Sequence, residues 1–258
     1  MRYSTGCVSI YVANGCGGPD LPLSVPEGAA FRSWYNLAGF QLFSSWDNGN
    51  VWGSDFREGP NNDLEPSGGS DIPDIYFYSG HGTCQNPPTA TSPDFISVCG
   101  DFGDPDRTTI GTQCRWGRLV GNEGARGNLK FLFLDASCPM DLVSIQNSWF
   151  PVFQGLHMAV GHSGTTTSDT LDSVDRGSQF AAYTAGLPFP FNLFFPQLSV
   201  GDAWMITGVI DIQRGCCAVA LAAGSDRNDA IDRRENERVT DNRPDPSPNW
   251  FAWRWVCA

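Results

Sequence analysis

Two short apolar runs constrain this chain most. Tyr76-Phe77-Tyr78-Ser79-Gly80-His81-Gly82 and Phe131-Leu132-Phe133-Leu134-Asp135-Ala136-Ser137-Cys138 each begin as an apolar or aromatic stretch and end in small and polar residues. A run of that length followed by turn residues reads as a buried strand. In an open α/β sheet the crevice lies beyond the C-terminal strand ends, so a reactive group placed there is well sited for chemistry. Here one run ends at an imidazole and the other at a thiol, the pairing of a base with a cysteine nucleophile.

The rest of the sequence fits an α/β chain. Strand-like segments are expected at residues 7–12, 74–79, 129–134, 156–160 and 216–222, and in the aromatic tail 250–257. Helices are expected over 27–46, 140–153, 174–185 and 201–212. Such alternation, with no repeat and no linker, predicts a single α/β domain over residues 1–258. Residues 48–70 are Gly- and Asn-rich and read as loop. Residues 83–127 read as a long loop insertion, and long insertions in compact domains are often functional. Residues 226–258 form a β-prone C-terminal extension whose charged part, 226–248, reads as a solvated hairpin or loop.

The formal net charge is −12, which argues against nucleic acid as a partner. No run approaches the roughly 18 apolar residues of a membrane helix. The first residues carry no charged leader before an apolar stretch, so no signal peptide is expected and the cytoplasm is the default. Nine cysteines pull the other way, because an even set remains once Cys138 is put aside and would suit disulfides in an oxidising compartment. Cys84 and Cys99 bracket a Pro-rich stretch and are the expected bridge. Cys7, Cys216 and Cys217 lie in apolar runs and read as small buried hydrophobes.

A free thiol near pKa 8.5 is mostly protonated at neutral pH, so a neighbouring imidazole raises its reactivity. Acyl transfer also needs donors for the developing oxyanion. Gly82, with no side chain, lets its N–H approach a substrate carbonyl, and the N–H of Cys138 is a second candidate. The alternative roles are a strand-capping turn for His81 and a core position for Cys138.

These residues resemble the caspase-like superfamily of cysteine peptidases, which includes caspases, metacaspases, legumain, gingipain and clostripain. The resemblance rests on Ser79-Gly80-His81-Gly82 and Asp135-Ala136-Ser137-Cys138. Residues 153–161, Phe180-Ala181 and Ala203-Trp204 are similar to a bacterial group of caspase-like domains of unknown function. The likeness covers about residues 7–222. It implies a three-layer sandwich: a mostly parallel central sheet with helices on both faces. It also implies a cysteine endopeptidase in which Cys138 attacks the scissile carbonyl, His81 protonates the leaving amine, and the Gly82 and Cys138 amides hold the oxyanion. No cofactor is implied, and the partner is a peptide or protein substrate.

The chain departs from that pattern at Asp135, which stands three positions before the cysteine where metacaspases and legumain have an acid two before. One position moves a strand side chain to the other face, so Asp135 is a candidate either for the substrate pocket or for a structural role. Pro139 is also unlike the common metacaspase pattern. Ser163 and residues 165–167 are candidates for the rim of the cleft, with an ordinary polar loop as the alternative. Three other functions stay open. The same dyad serves peptide ligation when an amine intercepts the acyl-enzyme. The shell can act as a non-catalytic binding module. A zinc site from His81, His157, His162 and Cys84 is the least favoured, since the spacings do not match zinc ligation. The Pro-interrupted aromatics Phe189-Pro190-Phe191 and Phe194-Phe195-Pro196 are candidates for an exposed lip.

Overall fold

The computed structural model describes residues 4–9, 21–47, 51, 53–57, 69–82, 84, 89–91, 94–99, 105–117, 127–166, 171–209 and 215–258. Expectations placed on Cys16, Thr167 and the parts of the 83–127 segment not named here lie outside these residues. The chain runs β1 (Ser4–Ser9), α1 (Ser24–Leu37), β2 (Gln41–Asp47), β3 (Ile75–Ser79), β4 (Phe95–Cys99), β5 (Pro105–Thr109) and α2 (Ile110–Gln113). It continues through β6 (Phe131–Asp135), α3 (Ile145–Trp149), β7 (Met158–Ser163), α4 (Leu171–Thr184), α5 (Val200–Thr207), β8 (Cys217–Gly224), α6 (Arg227–Asn236) and β9 (Trp250–Cys257).

Seven strands form one mixed sheet in the order β2-β1-β3-β6-β7-β8-β9. The pairings from β2 through β7 are parallel, and β7–β8 and β8–β9 are antiparallel. The fold is therefore α/β. Strand alternation divides the core in two. Tyr76, Tyr78, Leu132, Leu134 and Val219 face a cluster with Ile110 of α2 and Ile145 and Trp149 of α3. Ile75, Phe77, Phe131, Phe133 and Ala220 face the opposite cluster, with Phe31 of α1, Phe180 of α4 and Trp204 of α5. Because β3 and β6 are buried on both faces, their sequences are continuous apolar runs and not alternating ones.

α1 buries Ser24, Glu27, Gly28, Phe31 and Tyr35, a stripe at helical spacing. It stops at Leu37, short of the expected 46, because Gly39 turns the chain with φ +86° and the next residues pair as β2. The helix expected over 140–153 shrinks to α3 plus a 3₁₀ turn at Phe150–Val152, cut short by the turns after Pro139 and by Pro151. The 83–127 segment is not a featureless loop: β4 and β5 pair as an antiparallel hairpin, and α2 follows directly.

The stretch expected as a hairpin or loop from 226 begins instead with α6. Its start is a side-chain cap, since Asp226 accepts from the N–H groups of Asn228 (2.8 Å) and Asp229 (3.0 Å). Arg233 ties the helix to Asp229 one turn earlier. Residues 238–248 are irregular, as expected. Phe189, Leu193 and Phe194 are exposed, while Phe195 packs on Trp34 and Tyr183. Among the described residues no helix is long and apolar enough to cross a membrane.

Losing the Asp226 cap leaves two amides without their acceptor. Asp226→Ala is expected to lower stability by about 1 kcal/mol in urea denaturation, and Asp226→Asn, which keeps an acceptor oxygen, to restore most of it.

Candidate active site

The parallel register pairs Tyr76 with Leu132, Phe77 with Phe133, Tyr78 with Leu134 and Ser79 with Asp135. Both strands therefore end level, and the Gly80 N–H continues the ladder by donating to the Asp135 carbonyl at 3.1 Å. The segments carrying His81 and Cys138 leave the sheet side by side. The buried Tyr78 hydroxyl donates to the His81 carbonyl at 2.7 Å, which fixes the turn after β3. Gly82 lies against the backbone of Ser137, and a Cβ there would overlap the Ser137 carbonyl. Only glycine allows the two turns to come this close.

Cys138 has φ +57°, a left-handed conformation uncommon for a residue with a side chain and concentrated at functional sites. Its segment is braced against the end of β7. The Cys138 N–H donates to the Gly164 carbonyl at 3.0 Å and the Met140 N–H to that of His162 at 3.1 Å. Ser137 Oγ accepts from the Thr166 N–H at 3.1 Å, and Ser163 Oγ accepts from the Leu142 N–H at 3.2 Å. Trp149 donates to the Pro139 carbonyl at 2.8 Å. Two of the candidate residues thus have partners of their own. In this conformation the Cys138 amide, named as an oxyanion donor, already has an acceptor. Ser163, named as a rim residue, braces the segment after the cysteine.

The thiol itself is bonded. Cys84 and Cys138 form a disulfide with a Cα–Cα separation of 5.0 Å, so the expected Cys84–Cys99 bridge does not form. Cys217, taken as a simple buried hydrophobe, is bonded to Cys257 directly opposite on β9. Cys216 is a free buried thiol, pushed up to about 11 by burial.

Asp135 follows the strand parity. It shares a face with Phe131 and Phe133 and points under α1 and α4, where it is fully buried. Arg176 of α4 grips it with both arms, Nε to Oδ2 at 2.7 Å and Nη2 to Oδ1 at 2.8 Å. Asp135, named as a candidate for the substrate pocket, is thus buried in an ion pair that ties β6 to α4. Burial opposes its ionisation, but the Arg176 guanidinium above all outweighs that and holds it below the usual range. Glu27 of α1, fully buried, is pushed well above the carboxylate range by burial and by Asp135, and it accepts from the Ser79 hydroxyl. His162 donates from Nε2 to the Gly208 carbonyl at 2.7 Å, and its Nδ1 stands 3.7 Å from Asp135. Burial above all lowers it to about 4. The Asp135–Arg176 ion pair is thus set among groups whose burial disfavours further charge, the arrangement a dry interior tolerates.

Arg176 and Glu27 escaped the sequence reading. The only signal was a lone arginine and a lone glutamate on the apolar stripes of two otherwise amphipathic helices. His157, grouped earlier with possible metal ligands, instead bonds Glu237 at 2.7 Å and faces Asp245 at 3.3 Å. Among the described residues no set of three His, Cys, Asp or Glu side chains is placed to hold a metal.

Two outcomes test the cluster. Arg176→Met strands a buried carboxylate and is expected to cost about 3–5 kcal/mol at pH 7. Added to Asp135→Asn, it should cost at least about 1 kcal/mol less than the sum of the single changes, as denaturation of the four proteins would show. His162 has its folded value lowered from 6.5 to about 4. Its contribution is complete above pH 6.5 and is lost as pH falls toward 4, because the unfolded chain takes up the proton first. At about 1.4 kcal/mol per unit this loss is about 3 kcal/mol. The stability difference between wild type and His162→Gln should narrow by that order between pH 7 and pH 4.5.

No curated protein matches the chain. A family model matches residues 11–256, nearly the whole sequence, including both strand ends and the Asp135 cluster. On that match the chain belongs to the family described as Domain of unknown function (DUF6345).

Proposed function

We propose that the protein is a caspase-like cysteine peptidase that cleaves peptide bonds with a His81–Cys138 dyad. The observation that carries this reading is the in-register parallel pairing of β3 with β6, which sends an imidazole-bearing turn and a thiol-bearing turn out of the sheet together. The parallel run from β2 to β7, with helices over both faces, supports the caspase-like form of the α/β sandwich.

In the reduced protein the Cys138 thiolate adds to the scissile carbonyl. The tetrahedral oxyanion collapses, His81 delivers a proton to the leaving amine, and a thioester remains on Cys138. Water then adds to the thioester with His81 taking its proton, and the acid product leaves. The Gly82 N–H is the first oxyanion donor. The Cys138 N–H joins it once the segment releases the Gly164 carbonyl.

Asp135 and Arg176 stay under the sheet, so the specificity pocket is built from other residues. A peptide ligase would use the same acyl-enzyme, and an amine acceptor in place of water decides between the two. A binding module would use the cleft without acylation.

The test is intact-mass labelling of the reduced protein with acyloxymethyl-ketone peptides bearing Arg, Lys, Asn or Asp at P1. Labelling at Cys138 is expected with one preferred P1, abolished in Cys138→Ala and slowed at least tenfold in His81→Ala. Absence of labelling by every probe in fully reduced protein would point to the binding module.

A further inference from the structure

The reactive thiol is found not free but joined to Cys84, three residues beyond His81. The two sulfurs differ in access. Cys84 is exposed, whereas Cys138 is 3 % exposed. Three features of Cys138 accompany the bond: the sulfur is capped, the backbone is left-handed, and the amide is held by the Gly164 carbonyl. The first removes the nucleophile that acyl transfer needs and the third an oxyanion donor. The bond also ties the turn after β3 to the turn after β6.

We infer that Cys84 is a redox latch on the active site: the Cys84–Cys138 disulfide is the resting, inactive form, and a dithiol reductant switches the enzyme on. The inference rests on the peptidase reading above. The attacking thiolate meets the accessible sulfur of Cys84, forming a mixed disulfide with the reductant and expelling Cys138 as the thiolate. The second thiol of the reductant then attacks its own sulfur and releases Cys84. Two electrons and two protons pass to the protein, which gains two thiols, and the reductant leaves as its cyclic disulfide. The group expelled in the first step is the nucleophile itself, so unlatching and arming are one event. Cys217–Cys257 has no such role, since it staples β8 to β9 at the far edge of the sheet.

The test uses the full chain, air-oxidised and then poised at rising dithiothreitol concentrations. Differential alkylation with peptide mapping reports Cys84–Cys138 and Cys217–Cys257 separately, and ketone labelling at Cys138 is read in the same samples. The wild type should label at least tenfold faster once reduced, at the dithiothreitol concentration that opens Cys84–Cys138. Cys84→Ser should label fully without reductant. If mapping finds both Cys84 and Cys138 as free thiols in the air-oxidised protein while it labels, the latch is overturned and the peptidase reading stands. If the bond forms and opens but neither reduced wild type nor Cys84→Ser labels, the peptidase reading fails and the latch falls with it.

Discussion

The site depends on the pairing of β3 with β6. Parallel strands in register bring their C-terminal ends to one line, and here Ser79 sits opposite Asp135. His81, Gly82 and Cys138 follow within three residues of that line. A slip of one residue would send Asp135 to the other face and separate it from Arg176. The register is held from both faces: Tyr78 and Leu134 pack on one side of the sheet and Phe77 and Phe133 on the other.

Beneath that line lies the second organising element, the group formed by Asp135, Arg176, Glu27 and His162. It joins α4 to β6 with charge-assisted hydrogen bonds and α1 to β3 through Glu27 and Ser79, where apolar packing alone would leave the angle between the helices and the sheet less defined. Gly177 allows the close contact, because a Cβ there would press on Glu27 Cγ at 2.6 Å. Such groups add little net stability, since desolvation offsets attraction, but breaking one partner is expensive. The group thus acts mainly to set geometry: it fixes the root of the turn that carries Cys138, while Gly164, Thr166, Ser163 and Trp149 brace its far side.

Much of this was legible in the residues. The apolar runs of β3 and β6 announced two-sided burial, and the strand ends named His81, Gly82 and Cys138. The offset of Asp135 by one position raised a structural role as one of two possibilities, and the residue lies in a buried pair with Arg176. What was not legible depended on long-range contacts. Cys84 could not be matched to Cys138 from spacing, because the pairing needs the two turns to meet in space. Arg176 looked like any surface arginine until α4 was laid over β6. The β4–β5 hairpin was hidden in a polar stretch, and α6 was hidden because its helix-forming signal is a cap and a set of ion pairs with little apolar periodicity.

The central claim is that His81 acts on the Cys138 sulfur. It is tested most directly in a Cys84→Ser background, where the thiol is free without reductant and no substrate is needed. The measurement is the rate at which iodoacetamide alkylates Cys138 at pH 6, mapped by mass spectrometry, with His81 present and with His81→Gln. If the two residues form a dyad, the variant should react at least tenfold more slowly. Equal rates would mean that the imidazole does not reach the thiol, and the account of this site as a cysteine–histidine dyad would be contradicted.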